Sequence, residues 1–291
     1  MITPRKVLRS RGLRPRKKLG QCFLQDRNIL EKIAAMAEIG GAGTVVEIGA
    51  GTGVLTERIA EVAGHVLAVE VDPRMTEILE ERFQDRGNVE IVHRDVLEVD
   101  FSTLAGGEGG EGITVVGNIP YSLSTPILFH LLAHRRRIRR AVLMFQKELA
   151  ERLAASPGTK EYGIPSVLVA ASARVTQRLD VPATCFYPVP RVHSRVLRFD
   201  FLKEPPFPLG EEAYFTALVR AAFASRRKTI YNNLSRASLG LPAGSDLDVL
   251  LRSSGIDPVR RAETLSPAEF GRLSAVLLET SRKGLDNRDP V

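Results

Sequence analysis

Cysteine is scarce in this chain, with two residues, Cys22 and Cys185, among 291. Two thiols so far apart match neither a disulfide framework nor the paired spacing of a zinc site. Long apolar runs are missing as well. No stretch approaches the roughly 18 residues that span a bilayer. The basic N-terminus is not followed by the apolar segment of a secretory signal. A reducing cytoplasm is therefore the expected compartment, with no membrane partner. The five histidines, His65, His93, His130, His134 and His193, are scattered, so no metal cluster and no Ser/His/Asp arrangement is expected. A G-K-[ST] element is absent too, which excludes a Walker-type phosphate loop.

What is present is an ordinary globular composition, 44% hydrophobic and 26% charged. The length suits one large domain and a smaller one. Lys and Arg number 41 against 34 Asp and Glu, a formal charge of +7. The excess is unevenly placed. Eight basic residues and no acidic one lie between Arg5 and Lys18, including Arg16, Lys17 and Lys18. A second cluster is Arg135, Arg136, Arg137, Arg139 and Arg140, and a third is Arg226, Arg227 and Lys228. One such cluster reads as a solvated face; three tilt the reading towards a polyanionic partner. They are expected around the mouth of a substrate pocket and on the smaller domain.

Along the chain, residues 1–18 read as a mobile basic arm broken by Pro4, Gly12 and Pro15. Asp26 then caps an amphipathic helical pattern. From Thr44 the chain alternates strands, near 44–48, 66–70, 89–92 and 113–116, with helices near 54–62, 73–83 and 125–133. Further strands are expected at 141–145, 166–173 and 195–201, the last two as an antiparallel edge hairpin. This is the pattern of a Rossmann-like α/β domain, a mostly parallel sheet with an antiparallel edge, over residues 19–202. The Pro-rich stretch from Glu204 to Pro208 reads as a linker. Beyond it, helices near 211–239, 247–253 and 267–280 form a small all-α domain over 203–282, followed by a polar, flexible tail over 283–291. The glycine-rich segment 106–112 reads as a surface loop.

The first strand runs into Glu47-Ile48-Gly49-Ala50-Gly51-Thr52-Gly53. Glycines there let the backbone turn tightly and approach a ligand. Val54 stands where a dinucleotide fingerprint wants its third glycine, which weighs against NAD or FAD. Glu70 ends the second strand, where an acid can bind both ribose hydroxyls. Asp95, just past the third strand, can accept from an adenine amine. Each acid alone is as well explained by an exposed charge or a helix cap. The ordered set on three successive strand ends resembles the class I S-adenosylmethionine methyltransferases.

The fourth strand leads into Asn118-Ile119-Pro120-Tyr121, which resembles the [ND]-P-P-[FY] motifs of amino-methylating enzymes. An exocyclic adenine amine is a poor nucleophile because its lone pair is delocalised into the ring. Hydrogen bonds from the amine to the Asn118 carbonyl oxygen and to a backbone carbonyl near Pro120 would free that lone pair. Proline fixes the turn, and Tyr121 can stack on an extruded base. Phe186, in the Pro-rich run Cys185–Val192, is the expected second aromatic; the alternative is that it only anchors its loop.

Together these motifs, with Leu19-Gly20-Gln21-Cys22-Phe23-Leu24, Gln146-Lys147-Glu148, Phe223–Thr229, Gly255–Pro258 and Arg261-Ala262-Glu263, resemble the ribosomal RNA adenine N6,N6-dimethyltransferases. The resemblance covers about residues 17–278. It implies an enzyme that uses S-adenosylmethionine to place two methyls on each of two adjacent adenosines, in a hairpin loop near the 3′ end of 16S rRNA. The substrate would be an assembling small subunit and the enzyme a monomer. By the resemblance, Cys22, Leu24, Gly49, Gly51, Glu70, Asp95 and Asn118 bind the cofactor, and Asn118, Pro120, Tyr121 and Phe186 serve the target base. RNA would be held by Arg16, Lys17, Lys18, Arg135, Arg136, Arg137, Arg226, Arg227 and Lys228. One departure stands out: the family carries asparagine where this chain has Cys22. A thiol is a weak hydrogen-bond partner, so that contact is either lost or passed to a backbone group. The alternatives are a 23S rRNA adenine methyltransferase of the macrolide-resistance type and an assembly factor that acts mainly by binding. The stretch Phe223–Thr229 and the later Gly255–Glu263 pattern favour the small-subunit enzyme.

Overall fold

The computed structural model describes residues 3–41, 43–104 and 112–286. The chain divides into two compact units, one of residues 1–150 and 173–203, the other of residues 151–172 and 204–291. Most of the glycine-rich loop and the last residues of the tail lie outside the described residues. Residues 283–286 continue the final helix.

The first unit opens with a helix, α1 (Pro4–Ser10), where the sequence reading expects a mobile arm. Pro4 sits at the helix start, a position it favours because the missing N–H has no partner to lose there. Leu8 is buried against Phe23, Met75 and Ile78, with Val7, Leu13 and Tyr187 around them. The basic residues lie around that apolar stripe, and the stripe decides the outcome. A two-residue strand, β1 (Phe23–Leu24), follows, then α2 (Arg27–Ala37), whose cap Asp26 accepts from the Ile29 N–H as its sequence suggests.

The alternation after it is as expected. In order come β2 (Thr44–Ile48), α3 (Val54–Ala60), β3 (His65–Glu70), α4 (Pro73–Phe83), β4 (Val89–His93), β5 (Ile113–Asn118), α5 (Ser124–Ala133), β6 (Ile138–Gln146), and α6 (Lys147–Leu153), a helix not expected from the sequence. After α7 (Ile164–Ser172) come β7 (Ala173–Val181), β8 (Phe186–Tyr187) and β9 (Ser194–Phe201). Seven strands pair in the order β4-β3-β2-β5-β6-β9-β7. The first five are parallel, and β9 pairs antiparallel with both β6 and β7. Central strands such as Val45, Val46, Val115, Val116, Val142 and Leu143 are fully enclosed, as strands covered on both faces must be. Each such side chain adds about 1.5–3 kcal/mol of burial.

The chain leaves β2 towards β3 and β4, then returns to lay β5 on the other flank of β2. That reversal opens a crevice at the carboxyl ends of β2 and β5, the place where open α/β sheets bind ligands.

The second unit holds α7 with α8 (Glu212–Ala222), α9 (Ile230–Leu234), α10 (Leu247–Ser253) and α11 (Pro267–Asp286). Two expectations fail here. Residues 166–172 are helical rather than a strand, and 151–172 belong with the C-terminal helices although the sequence reading keeps them in the first domain. The run Ile164-Pro165-Ser166-Val167-Leu168-Val169-Ala170-Ala171 is apolar on nearly every side, so its periodicity does not separate a buried helix from a buried strand. The expected helix 211–239 is two helices. Thr229 caps α9 by accepting from the Asn232 N–H, and buried Asn233 donates Nδ2 to the carbonyls of Ala222 and Ser225, closing the end of α8. Phe215, Leu218, Phe270, Leu273 and Leu277 form the apolar interior, and Tyr162 Oη donates to the Leu265 carbonyl at 2.8 Å.

Candidate active site

At the end of β2 the chain turns through Gly49, Gly51 and Gly53, with φ of 70°, 57° and 77°. Side-chain-bearing residues rarely adopt that region. A Cβ at Gly51 would lie 3.0 Å from the Phe23 ring, and one at Gly53 would lie 2.6 Å from Phe83. The turn is held from the neighbouring strand. Gly49 N–H donates to the Val69 carbonyl at 2.9 Å, and Gly51 N–H donates to Glu70 Oε2 at 2.8 Å. Glu70 Oε1 accepts from the N–H groups of Val71 and Asp72, both at 2.9 Å. Burial pushes the Glu70 carboxyl above its ordinary pKa, and these three N–H donors oppose the shift. Asp95 is half-buried one strand further on and accepts from Leu97 N–H at 3.0 Å.

Gly49, Gly51, Glu70 and Asp95 line one pocket together with Leu19–Phe23, Val71, Arg94, Asn118–Tyr121, Leu123 and Ile127. The cavity they line has a volume of about 190 Å³ and opens to solvent. A smaller recess beside it is lined by Leu24, Glu47, Gly49, Gly51, Thr52 and Asn118. There Glu47 Oε2 and Thr52 Oγ1 are buried with no hydrogen-bond partner among the described residues. Burial, with Glu70 adding to it, raises the Glu47 carboxyl to about 8. Unpartnered buried polar atoms at the edge of a pocket fit a ligand that carries polar groups.

Asn118 ends β5. Its Nδ2 donates to the Cys22 carbonyl at 2.7 Å, which fixes the amide and leaves Oδ1 as the acceptor. The Pro120 carbonyl is committed to its own turn, accepting from Leu123 N–H at 2.9 Å and from Ser124 Oγ at 3.3 Å. Tyr121 Oη lies 2.7 Å from the Oγ of Ser194, a fully buried residue at the start of β9. Burial raises the phenol's pKa, so it stays protonated.

Cys22 lines the pocket, half-buried, with its thiol raised by burial. Its backbone carbonyl, not its sulfur, meets Asn118. Leu24 faces the recess rather than the main pocket. Phe186 departs from expectation. It is 1% exposed, packed in a core cluster with Leu24, Met144 and Val196, and absent from both pocket linings. Pairing of β8 with β1, Leu24 opposite Phe186, turns that ring inward; it anchors the loop.

The basic residues separate by position. Lys17 and Lys18 are exposed next to the pocket wall that begins at Leu19, and Arg16 reaches Asp72 at 3.3 Å. The 135–140 cluster does not surround the pocket mouth. The Arg137 carbonyl accepts from Ile113 N–H at the start of β5, whereas the pocket lies at the other end of that strand, roughly 17–20 Å away for six residues. Arg136 and Arg137 are exposed there. Arg135 is buried, and Arg140 is buried in ion pairs with Glu38 and Asp200. In the second unit Arg226 pairs with Glu263 at 2.5 Å, and Arg227 and Lys228 are exposed. Gln21, Asp72 and Ser194 make side-chain contacts around the pocket that the sequence does not point to. Their partners are distant in the chain, and no local spacing marks them.

Residues 12–278 match the family model described as ribosomal RNA adenine dimethylase. The ribosomal RNA small subunit methyltransferase A of Syntrophus aciditrophicus is 46% identical over 273 residues, covering 94% of this chain and 98% of the relative. The enzyme of the same name from Geobacter metallireducens is 46% identical over 276 residues, covering 95% and 100%. A crystal structure of a dimethyladenosine transferase from Plasmodium falciparum matches with a TM-score of 0.77 at 28% identity, covering 90% of this chain and 98% of that one. A 23S rRNA methyltransferase structure matches less well, with a TM-score of 0.64 at 26% identity, covering 88% and 99%. With its glycine turn, its strand-end acids and its Asn-Ile-Pro-Tyr corner in one pocket, the chain belongs to the ribosomal RNA adenine dimethylase family.

Proposed function

We propose that this enzyme uses S-adenosylmethionine to dimethylate the N6 amines of two adjacent adenosines in the 3′-terminal hairpin loop of 16S rRNA, within the small ribosomal subunit. It acts as a cytoplasmic monomer in ribosome biogenesis. The observation that carries the chemistry is the fixed Asn118 amide at the mouth of a glycine-cradled pocket. The small-subunit substrate is supported by the names of the 46%-identical relatives, against the lower similarity to the 23S enzyme.

The residues present fit the cofactor. Glu70 would take the ribose hydroxyls, Asp95 the adenine amine, and Gly49 and Gly51 would let the backbone approach closely, with Cys22 lining the same wall. Leu24, Glu47 and Thr52 line the adjoining recess, where the unpartnered oxygens suit a polar amino-acid tail. S-adenosylmethionine supplies an electrophilic methyl group on a sulfonium.

The chain's own part is to present the amine. Asn118 Oδ1 accepts one amine hydrogen. With the Pro120 carbonyl engaged in its turn, the carbonyl of Ile119 is the backbone acceptor for the second. Two acceptors on the amine draw its lone pair out of the ring and aim it at the methyl group. Tyr121, held by Ser194, offers its ring to one face of the base, offsetting part of the cost of unstacking it. Lys17, Lys18, Arg227 and Lys228 are the exposed cations assigned to the RNA backbone, with Arg136 and Arg137 as a separate basic surface.

Transfer of labelled methyl groups to small subunits lacking the modification, with large subunits in parallel, tests the substrate. Label in the small subunit alone is expected. Label in large-subunit RNA would favour the 23S reading, and tight subunit binding without transfer would favour an assembly factor.

A further inference from the structure

The pocket wall formed by residues 19–23 has little apolar anchorage before Phe23. The preceding anchors are Leu8 and Leu13 in the cluster under α1. Between Leu13 and Phe23 every residue is exposed or half-buried. Cys22 packs against a core cluster and its carbonyl meets Asn118, while the side-chain bonds of the stretch before it converge on Asp72. The Asp72 side chain is 0% exposed. Its Oδ2 accepts from Gln21 Nε2 at 2.8 Å and from Arg74 Nη2 at 2.6 Å. Its Oδ1 accepts from Arg16 Nη1 at 3.3 Å and from Arg74 Nε at 3.0 Å. Arg74 in turn donates to the Arg14 carbonyl at 3.3 Å, and Gln21 Oε1 accepts from the Arg16 N–H at 2.8 Å.

Asp72 also caps α4, accepting from the Arg74 N–H at 3.2 Å. A cap needs one oxygen, and asparagine or serine would serve as well. The second oxygen is directed at a segment 51 positions away in sequence. Meanwhile the Asp72 N–H donates to Glu70 Oε1 at 2.9 Å. Asp72 itself does not line the pocket.

We propose that Asp72 is a positioning residue for the cofactor. Its carboxylate clamps residues 14–22 as one wall of the pocket, while its backbone N–H braces Glu70 on the adjoining side. Cys22 extends the clamp, since its carbonyl holds the Asn118 amide. A loosened segment would therefore affect cofactor retention first and amine alignment second. The inference rests on the S-adenosylmethionine reading of the pocket.

Asp72→Asn keeps the helix cap but loses the charge and puts donors where Gln21 and Arg74 donate. Gln21→Leu removes one arm of the clamp at a position outside the core. Calorimetric titration with S-adenosylhomocysteine should give a dissociation constant raised about ten- to a hundredfold in Asp72→Asn, and less in Gln21→Leu. Amide exchange of residues 14–22 in the ligand-free protein should quicken in both, and the cofactor KM should rise more than kcat falls. Exchange of 14–22 at the wild-type rate, or affinities within about twofold of wild type, would overturn the clamp. If Asp72→Asn does not fold, Gln21→Leu decides by the same measurements. Wild-type protein that fails to bind S-adenosylhomocysteine would overturn the cofactor reading itself, whereas normal wild-type binding with unaltered variants overturns the clamp alone.

Discussion

At Asn118 the amide nitrogen is committed to the Cys22 carbonyl, which leaves Oδ1 as the one side-chain atom able to take a hydrogen from a substrate amine. Asn118→Ala should leave a folded protein, checked by its melting curve, and lower kcat/KM about 10²–10³-fold, the usual effect of removing one preorganised polar group. Near-normal turnover would show that the amine lies elsewhere. Glu47 makes a different prediction. Its carboxyl is raised to about 8 from 4.5, so the folded protein holds that proton more tightly than the unfolded chain. Stability is then greatest below the ordinary carboxylate range and is lost as pH rises towards 8. Glu47→Gln should remove that loss, on the order of several kcal/mol between pH 5 and pH 9. Denaturant titrations at both pH values check it, and parallel wild-type and variant curves would refute it. The positions of Glu70, Asp95 and Asn118 are legible in sequence because each lies at or just past the end of a strand. Ser194 and Gln21 are not, since they act on groups 73 and 51 positions away. Phe186 is misread because a Pro-rich loop gives no sign of which way its ring turns.

Among the elements, α1 is the one whose sequence misleads most. Its charges suggest a free arm, yet Leu8 is 1% exposed against Phe23, Met75 and Ile78. Leu8→Ala should cost about 2–4 kcal/mol in denaturant unfolding, whereas a mobile arm would register almost nothing. The parallel strands and the helices that follow them are readable because apolar runs and glycine turns repeat at regular intervals. The α7 region is not, because a short run apolar on all sides lacks a period. In the true edge strand β7, most of the positions between its two buried ends are exposed, so it carries little hydrophobic signal. The split between α8 and α9 depends on Asn233 reaching back to two carbonyls, a contact that no propensity scale registers.

At the scale of the whole molecule, the net charge of +7 points to a polyanion, but the structure assigns the cations unequal roles. Arg140 and Arg135 are buried and Arg226 is paired, while Arg227 and Lys228 are exposed. Arg227→Glu with Lys228→Glu should weaken small-subunit binding and flatten its salt dependence by about one to two in log–log slope, leaving S-adenosylhomocysteine affinity unchanged. Unaltered binding at physiological salt would remove these residues from the interface.

The central claim is the dimethylation of adenine amines by the Asn118 corner, and product analysis tests it most directly. Small subunits lacking the modification are incubated with enzyme and S-adenosylmethionine, and their RNA is digested to nucleosides for mass spectrometry. On this account, two N6,N6-dimethyladenosines per small subunit are expected with the wild type, and far less product with Asn118→Ala over the same time. Monomethyladenosine as the end product, methylation of another base, or undiminished product from the variant would contradict it.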